Sequence, residues 1–294
     1  MKKYVRIAAI FLMLVALFLV SCEEELVYHY AHGTDDVAAM GTIDENDNGN
    51  NKGSNSNNSN NNGNSSSNNN NSNSGSGKKR VAITYDDGPH NVYTKKIVDE
   101  LEKYNFSATF FVLGNRVDGT DYKGASALKY AYEKGNEIGI HGYTHEPYYD
   151  SCANDVYSYE IDSTAKAIKN ELGSVKVRLM RPTYGKISDE RVKQSKYFVI
   201  LWSVDSEDWR HKYALDGSDS AKDREQKVAA IVDNVMNNLS NGDIILMHDI
   251  YESTYDASVI ILKRLYQEGY EVVSVSELMG SDLVSGKRIS QKGN

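Results

Sequence analysis

Between residues 81 and 275 short apolar runs alternate with amphipathic ones, an order that few architectures accept. The strand-like runs are VAITY (81–85), ATFFVLG (108–114), NEIGIHG (136–142), VKVRLM (175–180), YFVILWSV (197–204), DIILMH (243–248) and YEVVSV (270–275). Helical periodicity fills the gaps, from Thr94 to Tyr104, Ala125 to Lys134, Val156 to Leu172, Asp223 to Leu239 and Ser253 to Glu268. Nearly continuous apolar runs belong to strands buried on both faces, so the expectation is an α/β fold with a mostly parallel sheet covered by helices. About seven strands over this length suit a barrel or barrel-like closure better than a small open sheet. No internal repeat of fixed period is present.

The rest of the chain reads differently. Lys2, Lys3 and Arg6 precede the apolar run IAAIFLMLVALFLV, too short to span a bilayer comfortably, which reads as an export signal. Its ending, LVSC, resembles a bacterial lipobox and implies cleavage before Cys22 and lipidation on it; a plain secretory signal or a short anchor helix are the alternatives. From about Glu45 to Gly77 the chain is almost all Asn, Ser and Gly, with no apolar surface to bury, and is expected to be disordered. As a tether it would have an r.m.s. reach of about 30 Å. The expected layout is a signal over 1–22, a tether over 23–77, a single domain over 78–280 and a polar tail over 281–294. With Cys22 lipidated, Cys152 is the sole remaining cysteine, so no intrachain disulfide is available. A formal charge of -8 argues against nucleic acid as a partner.

Catalytic-type side chains gather at the C-terminal ends of the strand-like runs. They are Asp86 and Asp87, His141 and His145, Arg181, Asp205 and Asp208, and His248 and Asp249. In parallel barrels the loops on that rim converge on one point. His141 and His145 in HGYTH stand four apart and come to one side if the segment coils. HGYTH lacks the Glu of HExxH, so a metal held there needs a third ligand and a separate base. The acids of TYDDGP can supply both: Asp87 completes a His₂Asp set with an open position for water, and Asp86 serves as general base. A cation beside one acid and a guanidinium beside the other relieve their repulsion. Arg181 of RPTYG can hold Asp86 through charge-assisted hydrogen bonds, and the main chain around Thr183 to Gly185 can present an N–H to an oxyanion. His248 of LMHD can act as general acid, kept protonated by Asp205 or Asp208 of DSEDW, since an amine anion is a very poor leaving group. Trp209 and Leu246 can wall a pocket sized for a methyl group.

Taken in order, TYDDGP, HGYTH, RPTYG, DSEDW and LMH resemble the polysaccharide deacetylases, the NodB-homology enzymes of carbohydrate esterase family 4. The likeness runs from Val81 to about Met279. It implies a distorted (β/α) barrel, a divalent metal that is usually zinc (cobalt or nickel being alternatives), and hydrolysis of acetyl groups on sugars. It makes Asp86 the base and Asp87, His141 and His145 the metal ligands. Arg181 supports Asp86, Tyr184 gives the oxyanion N–H, and His248 is the acid tuned by Asp208. Trp209 and Leu246 line the acetyl pocket. Three positions depart from the family pattern. Gly142 replaces a Ser or Thr, which removes a loop hydrogen bond. Thr183 replaces the second Pro of RPPYG, which loosens the turn that aims Tyr184. Tyr85 replaces a Phe.

The activity expected from the resemblance is N-deacetylation of N-acetylglucosamine in a cell-envelope glycan, foremost peptidoglycan. A lipid-anchored, extracytoplasmic monomer at the bacterial membrane suits that substrate. An O-acetyl esterase on xylan, a deacetylase of chitooligosaccharide or poly-N-acetylglucosamine, and a non-catalytic wall-binding lipoprotein are the alternatives. Iron oxygenases share the two-His, one-carboxylate ligand set but use a sheet-sandwich scaffold.

Overall fold

The computed structural model describes residues 78–119 and 124–292. The expected signal, the lipidated Cys22 and the tether lie outside these residues. Nine strands form one sheet: β1 (Lys79–Asp86), β2 (Thr109–Leu113), β3 (Glu137–Gly142), β4 (Leu179–Met180), β5 (Phe198–Ile200), β6 (Val204–Asp205), β7 (Ile244–His248), β8 (Tyr270–Val272) and β9 (Arg288–Ile289). Their order is β6-β7-β1-β2-β3-β4-β5-β9, with β8 beside β1, and every strand pairing is parallel. The sheet curls into a partial barrel covered by α1 (Tyr93–Lys103), α2 (Gly114–Asp118), α3 (Ala125–Glu133), α4 (Asn154–Leu172), α5 (Asp189–Gln194), α6 (Ala221–Met236) and α7 (Glu252–Gln267), with α8 (Val275–Met279) following β8. The long helices start and stop where local chemistry directs. Ser220 and Asp223 form a capping box at the head of α6, and Gly173, at φ 73°, ends α4.

Two expectations need correction. The run 197–204 is two strands rather than one. Beyond Ile200 the chain leaves the sheet, and β6 returns on its far side against β7. A continuous apolar run cannot reveal such a crossing, because both pieces are buried. The polar tail over 281–294 also contributes to the sheet. β9 pairs with β5, Ile289 is buried, and Gln291 bridges to Asp243 just before β7. Leu201 N–H donates to Ile289 O at 2.7 Å and Lys292 N–H to Gly242 O at 2.9 Å. The tail thus spans the gap between β5 and β7. With one apolar residue facing inward, it carried too little periodicity to be read as a strand.

The period of two along β1 positions the chemistry. Val81, Ile83 and Tyr85 pack outward among the helices. Ala82 faces inward with Phe111, Leu179, Ile200, Ile244 and Ile289. Thr84 and Asp86 continue that inner face toward the rim, so one strand passes from apolar core to site in four residues. Tyr85, where a Phe was expected, has a use for its hydroxyl, which lies 3.0 Å from Ser258 Oγ on α7.

Candidate active site

Register brings the expected side chains together at the rim. Asp86 ends β1 directly beside His248, which ends β7. His141 lies at the end of β3, and Arg181 follows β4, whose Met180 pairs with Ile140. Asp208 begins a short 3₁₀ turn after β6. Left-handed backbone at Asp87 (φ 69°) and His145 (φ 69°), with Gly142 at φ 128°, turns the chain sharply so that three ligand-type groups face one point.

Asp87 Oδ1 lies 3.4 Å from His141 Nε2 and 3.2 Å from His145 Nε2. The three ligand atoms all fall within 4.8 Å of one another. Asp87 Oδ1 is buried with no hydrogen-bond partner, an arrangement that costs free energy unless something electropositive meets it. His141 Nδ1 is 2.8 Å from Arg181 O, which fixes the N–H on that nitrogen and leaves the Nε2 lone pair toward Asp87. Burial pushes the Asp87 carboxyl up, but the neighbouring histidines pull it well below the usual carboxylate range. Burial pushes His141 down, and Asp86 and Asp87 overcome it, so this imidazole gains affinity for a positive species. Burial lowers His145. The donor set therefore fits a divalent cation of the zinc type.

Asp86 approaches the same nitrogen of His141, its Oδ2 3.7 Å from Nε2. Its Oδ1 accepts a 2.8 Å hydrogen bond from Arg181 Nη1. Arg181 is wholly buried and held on all sides. Nη1 also donates to Thr84 Oγ1 (2.6 Å), Nη2 donates to Leu201 O (2.8 Å), and the guanidinium lies 4.4 Å over the Phe111 ring. Such fixed, charge-assisted bonds orient the carboxylate of Asp86.

His248 is paired with Asp208, not with Asp205. Its Nδ1 lies 2.7 Å from Asp208 Oδ1, and its main-chain N–H donates to Oδ2 at 2.7 Å. Thr254 Oγ1 donates to Oδ2 and Trp209 N–H to Oδ1, so the buried carboxylate is fully used. Burial would lower the His248 pKa, but Asp208, followed by Asp87 and Asp86, carries it up to about 10. Asp205 instead accepts from Glu207 N–H. Leu246 is buried on the inner face of β7, two residues below His248, while Trp209 is largely exposed with Arg210 over its ring at 4.6 Å. Tyr184 adopts φ 58° in the 183–185 turn, and its hydroxyl donates to His145 O at 3.0 Å. Thr183, in place of a proline, ties that turn down rather than loosening it, because Oγ1 donates to Pro147 O at 2.6 Å.

Several residues of the site escaped sequence reasoning. Thr84 shares Arg181 with Asp86 and stands two residues before it, a spacing that the strand period could have exposed. Asp249, which the sequence places among the rim side chains but without a role, is fully buried; its Oδ2 accepts from Thr94 Oγ1, its carboxylate packs against Gly88 of the DDGP turn, and burial raises its pKa to about 7. Trp202 lies over Gly185 and 5.6 Å from the Arg181 guanidinium. Thr254 and Glu160 come from helices and carry no local signal.

Two imidazoles and a carboxylate at one point, with an arginine-held acid and a carboxylate-paired histidine beside them on the rim of a curled parallel sheet, make the candidate centre of a metal-dependent hydrolase. A family model described as polysaccharide deacetylase matches residues 73–199. Peptidoglycan-N-acetylmuramic acid deacetylase PdaC of Bacillus subtilis (strain 168) is 40% identical over 201 residues, 68% of this chain and 39% of that protein. A peptidoglycan-N-acetylglucosamine deacetylase of Bacillus cereus is 33% identical over 210 residues, 69% of this chain and 89% of its own length. The solved structure of PdaC aligns with a TM-score of 0.60 at 37% identity, covering 68% of this chain and 90% of that chain. The chain belongs to the polysaccharide deacetylase family, though it spans only 39% of the length of PdaC.

Proposed function

We propose that this chain is a metal-dependent N-deacetylase that hydrolyses the acetamido group of N-acetylglucosamine residues in peptidoglycan. The observation that carries the proposal is the division of labour around the His141–His145–Asp87 set: an arginine-held acid, Asp86, on one neighbouring strand end and a histidine, His248, paired with the buried Asp208 on the next. A divalent cation held by Asp87, His141 and His145, for which zinc is the proposed identity, would supply a Lewis acid for the acetyl carbonyl and acidify a nearby water. Asp86 accepts the proton of that water as its oxygen bonds to the carbonyl carbon. The electron pair of the C=O moves onto oxygen, where the Tyr184 N–H donates to it; a donor of this kind is worth about 3 to 4 kcal/mol. His248, with Nδ1 held by Asp208, delivers a proton from Nε2 to the sugar nitrogen as the C–N bond breaks. Acetate and a free amine leave.

The names of the B. cereus and B. subtilis relatives support peptidoglycan as the substrate, and they divide over which sugar is deacetylated. We place the enzyme outside the cytoplasmic membrane, anchored by lipid on Cys22 and free to reach the wall through its Asn/Ser/Gly-rich segment. That placement rests on the sequence of residues 1–77. The test is to incubate the purified protein and zinc with N-acetylglucosamine oligomers, and separately with purified wall. Acetate and new amines are measured with and without chelator, and the amino sugars of the wall hydrolysate are identified. Chelator-sensitive acetate with glucosamine is the expected result. Muramic acid amines in its place would reassign the sugar, and no acetate from any arm would sink the proposal.

A further inference from the structure

One buried carboxylate ties the loop that carries His145 to α4. Glu160, on α4, is 2% exposed, yet it belongs to no catalytic pair. Its Oε2 accepts the N–H groups of Tyr143 (2.6 Å) and Thr144 (2.9 Å), with Tyr149 Oη at 3.5 Å; its Oε1 accepts from Thr144 Oγ1 at 2.7 Å. Gly142 is where the family pattern has a hydroxyl residue. Here the space beside it is taken, since a Cβ there would collide with Tyr149 Oη and approach Glu160 Oε2 to 3.1 Å. The loop is thus bonded from outside, beside a position with no hydroxyl of its own. Immediately after these bonds comes His145, in left-handed backbone (φ 69°) that persists only if its surroundings hold it. On the far side Tyr184 Oη grips His145 O and Thr183 grips Pro147 O.

We propose that Glu160 is a positioning residue for the cation: through Tyr143 and Thr144 it fixes the His145 imidazole opposite His141 and Asp87. Among the described residues its carboxylate accepts from the Tyr143 and Thr144 N–H groups and the Thr144 hydroxyl at once, and its charge strengthens all three bonds. In Glu160→Gln the amide oxygen can keep the two N–H groups and the NH₂ can donate to Thr144 Oγ1, but every bond loses the carboxylate's charge and about half its strength, which slackens the loop. The proposal rests on the metal reading of the Asp87, His141 and His145 set and is independent of which acetylated glycan is cut.

The test titrates metal-free protein with zinc against a chromogenic chelator for wild type, Glu160→Gln and Thr144→Val. Cobalt absorption spectra report the ligand geometry, and circular dichroism with thermal unfolding establishes that each variant is folded at the assay temperature. Removal of such outer partners typically weakens metal binding about 10- to 100-fold, which is the loss expected for Glu160→Gln, with an altered cobalt spectrum. Thr144→Val, which keeps the carboxylate and both amide bonds, should lose measurably but less than Glu160→Gln. A folded Glu160→Gln protein with wild-type zinc affinity and cobalt spectrum overturns the proposal. If that variant does not fold, wild-type affinity in Thr144→Val overturns it instead. Zinc binding by the wild type without any acetate release would refute the deacetylase reading and leave Glu160 in place; absence of zinc binding by the wild type would refute both.

Discussion

Replacing Asp208 with Asn removes the charge under His248 while keeping nearly the same shape. His248 is carried from 6.5 to about 10 against its own burial, a preference for the imidazolium on the order of 5 kcal/mol. Asp208 is the largest upward influence, ahead of Asp87 and Asp86. Hydrogen bonds to a charged partner are worth about 1.5 to 3 kcal/mol and neutral ones about 0.5 to 1.5, so the variant forfeits about 1 to 2 kcal/mol of imidazolium stabilisation from the bond alone. The His248 pKa then falls by about one unit, to about 9. A cation beside Asp87 offsets part of the attraction in both proteins, placing the wild-type alkaline limb somewhat under 10 without changing the direction of the difference. Profiles of kcat against pH on an N-acetylglucosamine oligomer should show the alkaline limb of the variant displaced toward acid, with the acid limb unmoved. Stability provides a second readout of known sign. Because the folded pKa of His248 lies above its unfolded one, its pairing stabilises fully below about pH 6.5, and the benefit is lost as pH rises toward 10. The gap in Tm between wild type and variant should therefore close over that interval. It will not vanish, since the variant also leaves the His248 N–H facing an amide NH₂, at a cost of about 1 to 3 kcal/mol. A folded variant whose alkaline limb coincides with that of the wild type would refute the pairing as the source of the proton.

Further outcomes follow from the same geometry. Asp86→Asn should abolish acetate release while zinc affinity, measured by chelator competition, stays largely intact; full turnover would remove Asp86 as base. Arg181→Met should destabilise by about 3 to 5 kcal/mol in denaturant unfolding, because it leaves the buried Asp86 carboxylate without its cation. Ending the chain at Leu283 removes the buried Ile289, at least about 2 kcal/mol of burial, and should lower Tm by about 4 to 8 °C; an unchanged Tm would mean that β9 contributes nothing to closure.

What the sequence made legible was whatever a short-range rule governs. Asp86 and His248 end long apolar runs, and parallel register alone places two such ends side by side. The same rule could have assigned Thr84 to the inner face, since it stands two residues before Asp86. The rule fails where strands are two or three residues long. β4, β5, β6 and β9 have too few side chains to display a period, and their pairing depends on loops that bring them to the sheet.

The departures from the family pattern show the same boundary from the other side. As single letters Gly142 reads as a lost hydrogen bond, Thr183 as a loosened turn and Tyr85 as a bare replacement of Phe. In the folded chain each is coupled to a partner far away in sequence or on another element: Gly142 to Tyr149 and Glu160, Thr183 to Pro147, Tyr85 to Ser258. A motif records the groups that touch the reacting atoms, which chemistry restricts to few residue types at few positions. The groups that hold those residues need only supply a donor or an oxygen from any element within reach, so many sequences satisfy them and no spacing rule marks them. The substitutions expected to weaken this site are thus the places where its support comes from long-range contacts, and those contacts set how far Gly142 or Thr183 can change without moving His145.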